Sequence, residues 1–289
     1  MLPLRPWTRA LALNIHVHPT GDRPIRRALD IAQPGDILDL HPGVYPEAIS
    51  TYDGLIALNL TIRAYRRGDV TLAPIGTDRV VTIASDIASG LRLIGLTLDA
   101  SQVTIDGVKL THQGTEPNVQ DVTLADCEIC GAPRQGILAA GTGHVFRRVR
   151  VRGCGGTDRL SHGIYITGDH CLVNQCDFSG CGGSGVHIYD GTGQRTAHHN
   201  LVRYSRCWDN AKGDYGSGIV LGGGDGNRAY RNACWRNRIG VQVWQDSVGA
   251  EVLDNYVGGN AAHPYNLDIP TTVWVMPGAQ GTIERGNWG

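Results

Sequence analysis

His187, Tyr165 and Lys212 supply an imidazole, a phenol and an amine, three groups able to move protons in a reaction. His162 and Tyr215 offer a second imidazole and a second phenol. Arg134 and Arg159 can grip a carboxylate through two parallel hydrogen bonds. Tyr189 and Trp244 carry flat faces that suit sugar rings, and Lys109, Gln242 and Asp214 add polar contacts. Together these types fit proton transfer on an acidic, ring-shaped substrate. That holds only if the fold brings them to one place.

A repeat is what would bring them together. A glycine followed by alternating apolar residues recurs as GVKL at 107, GILA at 136, GIYI at 163, GVHI at 185, GIVL at 218 and GVQV at 240. One structural unit stacked on itself gives such a pattern. With Ile164 and Ile166 facing inward, Tyr165 and Thr167 face outward. The outward column is then Lys109, Leu138, Tyr165, His187, Val220 and Gln242, with Tyr189 and Trp244 two positions further on. Neighbours in the column stand about 5 Å apart, so Tyr165 and His187 reach one substrate unit. The glycines either leave bare backbone for a flat ligand or only supply turn dihedrals. Two longer segments, 155–162 and 209–217, flank the His187 coil and bring Asp158, Arg159, His162, Lys212, Asp214 and Tyr215 to its edge.

Other columns read as structural. Cys130, Cys154, Cys181, Cys207 and Cys234, separated by 24, 27, 26 and 27 residues, are expected as one buried ladder of reduced thiols. Rungs about 4.8 Å apart are too distant for disulfides, which prefer about 3.8 Å between Cβ atoms. Ser184, Asn210, Asn237 and Asn260 are expected as a polar ladder satisfying turn backbone. Asp169, Asp190, Asp225 and Asp246 follow their glycines at similar offsets. They either make turns or hold a Ca²⁺ ion, which favours oxygen ligands. His16, His18, His198 and His199 are expected at the surface.

Composition supports a β-rich solenoid, with 40 glycines and two phenylalanines. The net charge of −1 gives no field for nucleic acid or an anionic membrane, and no apolar run is long enough to cross a bilayer. No secretory signal is read in the first residues. Asp22 is expected to cap a helix started by Pro24, with Ile25, Ala28, Leu29 and Ala32 on its buried face. The helix would plug the open end of the solenoid. One domain is expected over 1–289: a strand and cap helix over about 1–35, coils over about 36–262, and a C-terminal cover over about 263–289. Strand-like runs such as LRLIGLTL and VTLADCEI recur along the coils.

The block ALDIAQPGDILDLHPGVY, with the later SHGIYITGDH and GSGIVLGGGDGNRAYRNACWRN, resembles the pectate-lyase-like superfamily of right-handed parallel β-helices. The resemblance implies an all-β solenoid of roughly ten coils and a carbohydrate ligand. It also favours an extracellular or virion-associated location. Its lyases act by β-elimination on uronic acids. This needs a neutralised carboxylate, a base for the C5 proton and an acid for the leaving oxygen. Arg159 or a cation is the expected neutraliser, Lys212 or His187 the base, and Tyr165 or Tyr215 the acid. Hydrolysis is less favoured, because the coil before His162, APRQGILAAG, has no carboxylate. A C5-epimerase, or a non-catalytic glycan-binding or phage tail-type protein, are the other readings.

Overall fold

The structure, a computed structural model, describes residues 11–66, 68–110, 119–189, 197–212, 215–261 and 272–289. The described chain winds through three parallel sheets of 11, 8 and 9 strands, here the first, second and third sheets in the order a coil visits them. Inward residues stack into one apolar cluster that runs from Val17 to Val273. The expected all-β parallel solenoid is therefore what forms.

Most strands are three residues long, because sharp corners cut them. The run LRLIGLTL holds two strands, Arg92–Ile94 and Thr97–Asp99, bent at Gly95; VTLADCEI bends likewise at Asp126. At the corner between the first and second sheets, Asp126, Arg148, Gln175, Tyr204, Arg231 and Asp254 all hold φ between 51° and 57°. A left-handed turn costs a non-glycine residue about 1 kcal/mol or more, so packing across coils must hold it there.

The next residue after each corner turns its side chain inside. Asn232, Asn255 and Asn287 form one ladder, Asn200 and Asn227 a second, and Asn210, Asn237 and Asn260 a third. Each side chain accepts a backbone N–H from the preceding coil and donates back to carbonyls inside it. Ser184 does not belong to the third ladder. The register places Cys154 and Cys181 below Asn210, and the Cys181 N–H donates to Asn210 Oδ1 at 3.1 Å.

The five cysteines are therefore not one column. Cys207 and Cys234 stack mid-strand behind Phe178, whereas Cys154 and Cys181 occupy a corner. Cys130 pairs with Arg152 and is only half-buried. A common spacing near 26 residues hides a shift of three within the coil. All eight thiols are free.

At the N-terminal end, helix Pro24–Ile31 adds Ile25, Ala28 and Leu29 to the core. Asp22 does not cap it. Arg23 holds the cap position without a side-chain bond, and the buried Glu47 carboxylate accepts the Ile25 and Arg26 N–H groups at 2.7 and 3.1 Å. At the other end, 272–289 continues the coils instead of only covering them, adding strands Val273–Val275 and Ile283–Arg285. Glu284 pairs in register with the inward Val252 but is exposed, so the apolar stack ends with a carboxylate at its open last rung. An inward charge of this kind blunts an open sheet edge.

Asn237 accepts two bonds from Asn210 at 3.1 and 3.2 Å and donates to the Cys207 carbonyl at 2.9 Å. Replacing it with alanine strands a buried N–H and carbonyl, so Asn237→Ala is expected to lose about 3 kcal/mol in urea unfolding. Asn260→Ala, at the half-buried end of the ladder, loses less. Equal losses would contradict the ladder account.

Candidate functional site

The glycine-led strands form the third sheet, in the expected register. Thr82, Lys109, Leu138, Tyr165, His187, Val220, Gln242 and Trp274 pair in sequence along its outer face. The glycines beside them have a different purpose from either one expected. A Cβ on Gly107, Gly136, Gly163, Gly185, Gly218 or Gly240 would lie between 2.5 and 2.8 Å from the carbonyl oxygen of the next coil. They are close-packing glycines, buried, with no left-handed φ and no backbone offered to a ligand.

A polar residue precedes five of those glycines, and it forms a ladder that the sequence reading missed. Asp106 accepts the Gln135 N–H at 3.1 Å, and Gln135 accepts the His162 N–H at 2.6 Å. His162 accepts the Ser184 N–H at 2.9 Å, and Ser184 accepts the Ser217 N–H at 3.0 Å. The available signal was the recurrent polar residue ahead of glycine: DG, QG, HG, SG and SG. Gln135 also donates to the Leu160 carbonyl at 2.8 Å, which pins the 155–162 loop.

Both flanking loops pack onto the short link of the His187 coil. A side chain on Gly183 would meet the Arg159 carbonyl and His162 Nδ1 at 2.5 Å, and the Ala211 N–H donates to the Gly183 carbonyl at 2.7 Å. His162 is 4% and His187 7% exposed as a result. Burial lowers the His162 pKa to about 4 and holds that of His187 well below the usual imidazole value, with the neighbouring His162 adding to it.

The ladder also sets the protons. His162 Nδ1 accepts from the Ser184 backbone, so its proton sits on Nε2. Nε2 lies 2.7 Å from His187 Nδ1 and donates to it. His187 then carries its own proton on Nε2, with its lone pair already engaged. It is a hydrogen-bond donor, and the expected role of base does not fit it.

Around His187 the rings converge. Tyr165 lies 5.1 Å away between centroids, His162 4.3 Å, Trp244 5.3 Å and Tyr189 6.0 Å. Tyr189 and Trp244 come within 4.9 Å of each other by leaning over Gly222. Lys109 sits two rungs from Tyr165 on the same column, 8% exposed, its pKa lowered by burial and by the Arg79 guanidinium.

Several expected residues are elsewhere. Lys212 is exposed, and its Nζ points back to the corner at Gly180, 3.5 Å from where a Cβ there would stand. Gln242 is fully buried and braces the loop instead of meeting a ligand: it donates to Tyr215 Oη at 3.1 Å and accepts from Ser217 Oγ at 3.0 Å. Arg134 and Arg159 remain exposed on the loop rims. Asp158 braces its own loop through Ser161 Oγ and the Leu160 N–H, which lower its pKa. Asp169 and Asp225 do not neighbour each other, because His198 stands between them in the register. Asp169 pairs with His170 at 2.9 Å. Among the described residues no three of His, Cys, Asp or Glu are placed to hold a metal ion. Asp190 and Asp214 lie outside the described residues.

Residues 135–269 match the family model for a right-handed β-helix region. No curated protein matches the chain in sequence. Among solved structures it is similar to the A-module of a mannuronan C-5 epimerase from Azotobacter vinelandii, with 18% identity and a TM-score of 0.64, covering 88% of this chain and 79% of that one. It is also similar to a pectate lyase, with 12% identity and a TM-score of 0.57, covering 97% and 80%. A third similarity is to the ORF18 protein of Geobacillus virus E2, with 14% identity and a TM-score of 0.60; the match covers 94% of this chain and 60% of the viral one. Sheets, corners and these likenesses agree: the chain is a right-handed parallel β-helix of the pectate-lyase-like fold.

Proposed function

We propose that this β-helix is a carbohydrate-active protein, a polysaccharide lyase that cleaves a uronic-acid glycan by β-elimination on the outer face of its third sheet. One observation carries the reading: Lys109, Tyr165 and His187 stand in register on a single column, with the half-buried Leu138 as floor between the first two. Two rungs span about 10 Å between backbones, a gap that a lysine and a tyrosine side chain together can close onto the adjacent C5 and C4 positions of one sugar. Lys109, whose ammonium is destabilised by burial and by Arg79, takes the C5 proton. Electrons move to form the C4–C5 double bond, and Tyr165 gives its proton to the departing oxygen. The exposed arginines on the rims, Arg134 and Arg159, attract the polymer's carboxylates. Likeness to pectate lyase and to an epimerase module supports a glycan as the ligand class.

The epimerase reading shares the first step and differs in returning a proton to C5 from the opposite face. Incubation with a panel of uronate polysaccharides is expected to raise the ultraviolet absorbance of the unsaturated product. Lys109→Ala and Tyr165→Phe should each lower the rate by about 10²-fold or more, while Lys212→Ala leaves it near wild type. Epimerised product without absorbance would select the C5-epimerase. Binding without either product would leave a glycan-binding protein.

The neutral histidine pair has its own signature in stability. An unfolded imidazole protonates near 6.5, whereas folded His162 does so only at about 4. Between these values the unfolded chain holds more protons, so stability falls as pH falls, by about 3 kcal/mol from this residue. Urea unfolding from pH 7 to pH 4.5 is expected to show most of that decline, and His162→Gln to lessen the slope, His187 supplying the remainder. An unchanged slope in the variant would place the protonation elsewhere.

A further inference from the structure

Among the described residues, two buried side-chain N–H groups in the ring cluster have no hydrogen-bond partner: His187 Nε2 and Trp244 Nε1. A buried donor without an acceptor is costly, and native proteins rarely leave one. Here two occur in rings that touch, with centroids 5.3 Å apart at 64°. Neither can be relieved from within. The other nitrogen of His187 is committed to His162, and an indole has no acceptor to turn toward its neighbour.

Both groups donate only, and both rings are uncharged. Their complement is a group with at least two acceptor sites that carries its own negative charge. A carboxylate matches, with one oxygen for each donor; a sugar hydroxyl would bring a proton of its own into the same space. Bonds to an ionised acceptor are also the stronger kind. We propose that His187 Nε2–H and Trp244 Nε1–H form a two-donor seat for the carboxylate of an acidic sugar, and this inference rests on the glycan reading above. In the β-elimination scheme the seat would stabilise charge gathering on that carboxyl as the C5 proton leaves. It takes the role first given to Arg159.

Tyr189 borders the seat. This half-exposed ring lies 6.0 Å from His187 and 4.9 Å from Trp244, over Gly222. A side chain on Gly222 would stand 3.3 Å from both Tyr189 and Trp244, so the glycine is what lets the rings meet there. An entering carboxylate displaces Tyr189. His162 is a positioning residue: by fixing the tautomer it keeps the His187 proton on Nε2.

The test uses the full chain labelled with ¹⁵N. Trimannuronate and trigalacturonate are titrated in, alongside the same trisaccharides with their carboxyl groups reduced to alcohols. At least one acidic trisaccharide is expected to shift the Trp244 indole resonance and the His187 Nε2 resonance to saturation, and the reduced forms are not. Trp244→Phe keeps the ring and removes the donor; it should bind that acidic trisaccharide about tenfold more weakly and leave any binding of the reduced form unchanged. Unmoved resonances with both acids, or wild-type affinity in Trp244→Phe, would overturn the seat. Ultraviolet absorbance of the same samples separates the two readings. A shift without turnover keeps the seat and removes the lyase, and turnover with unmoved resonances does the reverse.

Discussion

Everything in this molecule hangs on how one coil satisfies the backbone of the next. Strands of three residues are too short to hold their own shape, and the corners between them adopt a left-handed conformation that most residues resist. What holds them is the side chain just inside each corner. Asn210, Asn237 and Asn260 accept N–H groups from the coil before and donate to carbonyls within it. Where Asn gives way to Cys154, Cys171, Cys176 or Cys181, a thiol fills the same place with a weaker polar grip. These ladders fix the register, and the register places the outward column of the third sheet.

The outward column was legible in the sequence because of the glycines that mark it. Each of them is forced by the carbonyl of the next coil, so its position carries geometric information. Counting two residues on from each glycine therefore finds Lys109, Tyr165 and His187 on one face. The cysteines carry no such constraint. A small apolar residue fits mid-strand at Cys207 and at a corner at Cys181 equally well, and spacing alone merged the two. Lys212 misled for a related reason. It lies in a loop, where nothing in the repeat says which way a side chain turns, and its ammonium ends near Gly180.

The polar residue before each glycine was in plain view and its meaning was not. Asp106, Gln135, His162, Ser184 and Ser217 look unrelated as residue types. Only the register shows that the first four accept the same N–H of the next coil, and that Ser217 gives its own N–H to Ser184. His162 thus has a structural reason to be an acceptor at Nδ1, independent of any reaction.

That structural reason is what gives the site its chemistry. Any of the ladder's other side chains at position 162 would satisfy the Ser184 backbone. A histidine does so with one nitrogen and keeps a second, with a proton on it, 2.7 Å from His187. The rung that closes the coil therefore also dictates which nitrogen of His187 is free. Burial between the two loops keeps both rings neutral, so the arrangement survives as a chain of donors instead of collapsing into a pair of repelling cations. A stacking requirement of the fold is in this way converted, at the His162 rung, into a directed N–H among aromatic rings. The neighbouring coils have Gln135 or Ser217 at that rung and Leu138 or Val220 on the outer face.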